Sequence, residues 1–330
     1  MGAQAKQSSA MTGLQHELDL LKATFEERLR HVMGDADPGD LLHSAMREAA
    51  LGAGKRMRPL LMMLLARDLG CPPAGMLDAA CAVELVHAAS LILDDMPCMD
   101  NAMLRRGRPT IHVRFGEDVA ILAAISLLSR AFALVSSAPG LPADARTRMS
   151  STLANAIGTK GLAMGQYQDL RAGRDGRSGD DIAVTNELKT GMLFDVAVNM
   201  ATVIAGSGDS VVLPLKQFAK AAGQAFQIRD DLQDGPGNDS AVTGKDVGLD
   251  AGKATIVLTL GVEEARRQLA FLVQESDRHL ASALGEQATT RLLIKAMFAD
   301  KAALAAMPTR AAPPAPVAPV ALRGSACVTR

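Results

Sequence analysis

Tryptophan is absent from this 330-residue chain, and only one tyrosine and eight phenylalanines are present. Aromatic residues favour strands, so their scarcity argues against a β-rich fold. An excess of either charge is also missing. With 35 basic and 36 acidic residues there is no positive surplus of the kind that binds a phosphate backbone, and no nucleic-acid partner is expected. The cysteines at 71, 81, 98 and 327 form no CxxC pair. Reduced thiols in a cytoplasmic protein are the simplest expectation. The opening MGAQAKQSSAMTG has no apolar core of the signal-peptide type. The most apolar stretch, Val119 to Val135, is interrupted by Ser126, Ser129 and Arg130. It is short for a membrane span and reads as a buried core helix, so an integral membrane protein is not expected.

Hydrophobic residues make up 48% of the chain. Ala, Leu and Met are abundant, and all three are strong helix formers. Apolar residues at 14, 18, 21, 25 and 29 fall three or four apart, which predicts an amphipathic helix over 14–33. Similar readings predict helices over 41–51, from Pro59 to Gly70, and over 75–95, 117–136, 144–172, 180–206, 211–234, 254–260 and 262–284. Another begins near 286. The breaks carry Pro and Gly, and no strand-like alternation is visible. The expected fold is all-α, a single large helical bundle. Residues 1–13 are expected to be a flexible N-terminus, 14–306 the helical domain, and 307–330 a Pro/Ala-rich disordered tail.

Two acidic clusters end apolar helices. The first, in LILDDMPCMDNAMLRRGRPT (91–110), places Asp94, Asp95 and Asp100 in DDxxxxD spacing. A regular helix would turn Asp100 roughly 240° away from Asp94. Pro97 predicts that the helix stops, which lets Asp100 return. The second, in FQIRDDLQDG (226–235), places Asp230, Asp231 and Asp234 on one helix face. Close carboxylates raise one another's pKa unless cations sit among them. Mg²⁺ fits, because it takes one or two carboxylates and completes its shell with water and phosphate oxygens. The plain alternative for either cluster is a solvated helix end. A di-iron site is disfavoured, because it needs a Glu-x-x-His pair on each of two helices and the chain carries only one, Glu84–His87.

Cations accompany the carboxylates. GAGKRMRP carries Lys55, Arg56 and Arg58, and Arg105 and Arg106 follow the first cluster. GAGKRMRP is not a P-loop, since Ala49 and Arg56 stand where Gly and Ser/Thr are required. Clustered guanidinium and ammonium groups suit a diphosphate. His87 lies two helical turns before Asp94 on the same face. Lys189, Lys245 and Lys253 add later positive charge. For each cation taken alone a surface role is the plain reading, and for His87 a hydrogen-bonded core histidine.

Together these segments resemble the trans-isoprenyl diphosphate synthases, in the bacterial geranylgeranyl type. Besides the two acidic motifs, GAGKRMRP, MGQYQDL (164–170), ELKTG (187–191) and GKDVGLDAGKAT (244–255) resemble the family's blocks in family order, over roughly residues 40–300. The resemblance implies a deep central cavity, a homodimer, and Mg²⁺ as three ions once substrate is bound. It implies that Asp94, Asp95, Asp100 and Asp230 hold metal and that Asp231 and Asp234 support them. Arg105, Lys189 and Lys245 would bind the allylic diphosphate. Lys55, Arg58, His87 and Arg106 would bind isopentenyl diphosphate. Thr190, Gln227, Gln166 and Asp169 would line the reacting region, and Lys253 would add a substrate contact. Ala89 and Ser90 stand where short-product relatives carry bulky aromatics, so the expected product is the twenty-carbon geranylgeranyl diphosphate, for isoprenoid biosynthesis of the carotenoid type. Ser90, one turn below Asp94, is the better candidate for the cavity wall. Asn101 replaces an Asp of close relatives, which would trim metal affinity.

The alternatives are a farnesyl diphosphate synthase, a non-catalytic synthase-like subunit, a terpene cyclase, and a structural bundle with chance acidic ends. A cyclase pairs DDxxD with an Asn/Ser/Glu motif, whereas here a second DDxxD stands. A non-catalytic relative usually loses one of the two motifs.

Overall fold

The computed structural model describes residues 2–37, 39–71, 73–172, 184–233 and 256–298. Asp234, Lys245, Lys253 and the segment 307–330 lie outside these residues. The described chain is helical apart from one two-residue-stranded hairpin. Helix α1 spans Gly2–Met33 and starts well before Leu14, where the apolar period becomes visible. It turns Leu18, Phe25, Leu29, Val32 and Met33 into the core. After the break at 34–40, Asp40 caps α2 (Leu41–Leu51) by accepting a 2.8 Å hydrogen bond from the amide of His43. Helix α3 (Met57–Asp68) is buried on most sides and packs on α4 (Pro73–Asp94), which runs through the centre of the bundle.

Helix α4 is followed by strands β1 (Leu104–Arg105) and β2 (Arg108–Pro109), then α5 (Ile111–Phe115) and α6 (Glu117–Ser136). The hairpin escapes a periodicity reading because each strand is only two residues long. Its loop, Arg106–Gly107, has φ of 55° and 73°, the pattern of a two-residue type I′ connection.

The expected helix 144–172 is two helices, α7 (Ala143–Ile157) and α8 (Leu162–Ala172). The turn between them requires glycine at 161, where a Cβ would lie 2.0 Å from the carbonyl oxygen of Ala156. Helix α9 (Val184–Ala205) contains a π-helical turn over Glu187–Gly191 and ends at Gly206, whose φ of 62° lets the following amides close the last turn. Helices α10 (Asp209–Gln233), α11 (Ile256–Leu260), α12 (Val262–Leu284) and α13 (Thr289–Phe298) complete the described chain.

Helix α4 is flanked by α1, α2, α3, α6 and α9, and α9 in turn packs on α10. Phe25, Phe194 and Phe218 are fully buried. Burying each such ring stabilises the fold by about 1.5–3 kcal/mol. A second apolar cluster joins Ala221, Ala225, Ile228 and Leu232 of α10 to Ala265, Leu269 and Leu272 of α12.

The stretch Val119–Val135 is not the buried core helix expected from its composition. Helix α6 buries Ala120, Ala123, Ala124, Leu127, Ala131 and Val135, while Ile121, Leu122 and Ile125 remain 44%, 51% and 57% exposed. Small side chains on one face allow α6 to lie close on α4, and the large aliphatics fall on the other. By length and composition alone, α4, α6 and α9 are long and apolar enough to cross a membrane. The apolar window of α4 is 72% buried inside the bundle and that of α6 only 33%.

Candidate active site

The last turn of α4 delivers the first carboxylates. The helix ends at Asp94, and the chain loops through Pro97 so that the amide of Asp100 donates to the carbonyl oxygen of Asp94 at 2.9 Å. Asp100 therefore returns beside Asp94, as the break at Pro97 predicts. Asn101 has φ of 51°, a left-handed conformation that Asn tolerates better than most residues. Its side chain is exposed, so asparagine here has a backbone reason to be present. Burial, opposed by Lys189 and Arg105 and reinforced by Asp100 and Asp95, carries Asp94 from 3.8 up to about 6. Burial also raises Asp95, against the opposing hydrogen bonds of Arg105.

The hairpin reaches both sides of the site. The Arg105 guanidinium grips Asp95, with Nε 2.8 Å from each carboxylate oxygen and Nη2 2.6 Å from Oδ1. Arg106 turns the other way, and its Nη1 donates to the carbonyl oxygen of Ala53 at 2.5 Å. That contact clamps the hairpin to the loop 52–56, which leads into α3. Lys55 is exposed on this loop. Arg58, in the first turn of α3, lies 5.6 Å from the centre of the Phe194 ring, and its Nε is buried without a hydrogen-bond partner. Burial lowers its pKa, and Glu84 and Asp230 are the charges that oppose the shift. His87 is held well below 6.5, first by burial and then by Arg58, Arg106 and Arg105, so the imidazole is neutral at pH 7.

Helices α8, α9 and α10 form the opposite wall. A Cβ on Gly165 of α8 would stand 2.9 Å from the amide nitrogen of Lys189, and one on Gly223 of α10 would stand 2.8 Å from Cα of Gly191. The π turn of α9 is thus pressed between two helices with no side chain intervening. It presents Lys189, whose Nζ donates to Asp169 Oδ2 at 2.7 Å. The next residue, Thr190, donates to Gln227 Oε1 at 2.7 Å, and Gln227 Nε2 donates to Asp231 Oδ1 at 2.7 Å. Asp230 accepts from Arg229 at 3.2 Å. Gln166 keeps both polar atoms of its side-chain amide buried and without a hydrogen-bond partner. Ala89 is fully buried in the core, whereas Ser90 is partly exposed and donates to the carbonyl oxygen of His87 at 2.9 Å.

Among the described residues, Asp94, Asp95 and Asp100 therefore meet at one place with Arg105 and Lys189. Arg58 of α3 reaches the Phe194 ring of α9, whose centre lies 5.6 Å from that of Phe226 on α10, so the α3 side is joined to α10 through packed rings. The sequence reading did not single out Glu84, whose carboxylate lies under the arginines of loop 52–58. Its signal was a lone carboxylate in the apolar run CAVELVHAASLIL, since glutamate is almost never fully buried unless paired.

The donor set fits a hard divalent cation: the carboxylates are oxygen ligands, and the raised Asp94 is a group that a cation would relieve. No three or more His, Cys, Asp or Glu side chains close into a cage among the described residues.

Comparison with known proteins identifies the family. The polyprenyl synthetase family model matches residues 40–291. The geranylgeranyl diphosphate synthase of Pantoea ananas is 47% identical over 285 residues, covering 86% of this chain and 93% of the relative. That of Pseudescherichia vulneris is 43% identical over 294 residues, covering 88% and 94%. A crystal structure of a Helicobacter pylori geranyltransferase, complexed with magnesium and isoprenyl diphosphate, superposes with a TM-score of 0.76 at 28% identity, covering 86% of this chain and 96% of that one. The chain belongs to the polyprenyl synthetase family.

Proposed function

We propose that the protein is a Mg²⁺-dependent prenyltransferase that condenses isopentenyl diphosphate with allylic diphosphates to make geranylgeranyl diphosphate. The observation that carries this reading is the return of Asp100 to Asp94 and Asp95 beside Arg105 and Lys189. Carboxylates alone would repel a diphosphate; with a divalent cation and these bases they bind one. The 43–47% identity to two geranylgeranyl diphosphate synthases supports the twenty-carbon product.

In this reading Asp94, Asp95, Asp100 and Asp230 hold Mg²⁺, as three ions with substrate bound, and Asp231 and Asp234 support them. The bound metal would neutralise the diphosphate as it departs with the electron pair of the allylic C–O bond. Arg105, Lys189 and Lys245 hold that same diphosphate. Lys55, Arg58, His87 and Arg106 orient isopentenyl diphosphate, with Lys253 as a further contact. The neutral His87 acts as a hydrogen-bonding group. The isopentenyl double bond attacks the allylic carbon, and a proton then leaves to the released diphosphate. Thr190 and Gln227, fixed to each other and to Asp231, place oxygen atoms beside the developing positive charge, with Gln166 and Asp169 nearby. The apolar walls exclude the water that would quench it.

We place the catalytic unit at 14–306 in a cytoplasmic homodimer that does not span a membrane. The exposed Ile121, Leu122 and Ile125 support a second copy on α6, and the acidic Glu117 and Asp118 lie in the first turn of that helix. An Ile125→Glu protein is expected to elute as a monomer in size-exclusion chromatography with light scattering. An unchanged dimer would remove α6 from the interface.

The defining experiment incubates the protein with Mg²⁺, labelled isopentenyl diphosphate and dimethylallyl, geranyl or farnesyl diphosphate in turn, then sizes the dephosphorylated products. Geranylgeraniol is expected, and its loss in Asp230→Ala. Farnesol would make the protein a farnesyl diphosphate synthase. No elongation by folded protein would make it a non-catalytic subunit.

A further inference from the structure

Beneath the loop that carries Lys55 lies a buried ion pair with no assigned role. Arg56 is 5% exposed and Glu84, on α4, is also 5% exposed. Arg56 Nη1 donates to Glu84 Oε1 at 2.6 Å, Nη2 donates to the carbonyl oxygen of Gly52 at 2.8 Å, and Nε stands 3.7 Å from Glu26 of α1. One guanidinium thus bonds α4 to both ends of the loop 52–56, with the Glu26 carboxylate of α1 at ion-pair distance from an Nε that makes no hydrogen bond.

The backbone of Arg56 has φ of 51° and ψ of 36°, left-handed for a residue that is not glycine. Such a conformation is unfavourable and persists only where the surroundings hold it. The turn it makes separates the exposed Lys55 from Arg58, which enters α3 and points inward. Arg106 rests on the same loop through Ala53, and a Cβ on Gly54 would meet its Nη1 at 3.0 Å. All three cations assigned to isopentenyl diphosphate therefore take their positions from this loop, and the fourth assigned group, the neutral His87, sits about one helical turn beyond Glu84.

We infer that Glu84, acting through Arg56, is the positioning residue of the isopentenyl diphosphate site, holding the loop 52–56 in its left-handed turn so that Lys55, Arg58 and Arg106 converge. The inference rests on the proposed prenyltransferase reading. Among the described residues neither Arg56 nor Glu84 bonds to Asp94, Asp95 or Lys189; the allylic site meets this loop only through the hairpin, where Arg105 is held separately by Asp95, so it should feel the change far less.

The sign of the effect separates positioning from simple charge. Neutralising Glu84 makes its surroundings more positive, which by itself would tighten binding of a diphosphate. Loss of positioning weakens it. Glu84→Gln is therefore expected to raise KM for isopentenyl diphosphate about tenfold or more, with KM for farnesyl diphosphate and kcat within about twofold, the pattern of a lost binding interaction. Arg56→Lys keeps the charge but not the planar fork to Glu84 and Gly52, and should shift the same constant in the same direction. It also serves as the test if Glu84→Gln folds poorly by circular dichroism. A fall or no change in KM for isopentenyl diphosphate in the folded variants, or an equal rise for both substrates, overturns the inference. Absence of turnover in the parent protein would instead fail the prenyltransferase reading itself.

Discussion

An Asp94→Asn protein is expected to melt higher than its parent at pH 7.5 in EDTA while losing its turnover. Burial holds the Asp94 carboxyl at about 6 against an ordinary 3.8. A folded-state pKa that is raised favours the folded protein at low pH and penalises it as the pH climbs. The penalty is absent below about 4, grows through 6 and is complete above 7. The gap corresponds to at most about 3 kcal/mol, or a few degrees in melting temperature for a chain of this size. The neutral asparagine avoids it, so the two proteins should converge as the pH falls towards 4. Millimolar MgCl₂ should raise the melting temperature of the parent more than that of the variant. Elongation should fall on the order of 10²- to 10³-fold, the scale on which a lost electrostatic partner of the transition state is felt. A variant that melts lower at every pH would show that Lys189 and its neighbours already compensate Asp94, and the metal-relief argument would fail.

Ser90→Phe should shorten the product from twenty carbons to fifteen. Ser90 is partly exposed one turn below Asp94, so a ring can be accommodated there and, in the proposed reading, would stand in the path of a growing tail. Ala89→Phe is the informative control. Ala89 is fully buried in the core, so a ring at 89 overpacks the interior at about 1–3 kcal/mol. It should cost melting temperature more than product length. Product analysis by chromatography, beside a melting curve for each variant, separates the two. If Ser90→Phe still makes only geranylgeraniol, the cavity wall lies elsewhere.

The parts legible in the sequence were those written in local chemistry. The helix of α4, its stop near Pro97 and the return of Asp100 follow from apolar periodicity and one proline. Other features depend on partners distant in the chain. The hairpin at 104–109 is too short for alternation, and its turn needs φ values that no pattern of polarity reports. The turn that divides 144–172 requires glycine at 161, where a side chain would clash with Ala156. Nothing local to Glu84 names its partner, Arg56, which lies 28 residues away in sequence. The exposed aliphatics of α6 share a helix with buried alanines, and composition alone cannot say which face is covered.

The contact of Gly191 with Gly223 bears on how such an enzyme can be re-engineered. Two backbones in contact leave no slack, so any side chain at 223 must displace the turn that carries Lys189 and Thr190. In a library screened for altered chain length, substitutions there would score as inactive whatever they did to product size. Diversity is better spent near Ser90 on the α4 side, with the α9–α10 seam treated as a fixed frame.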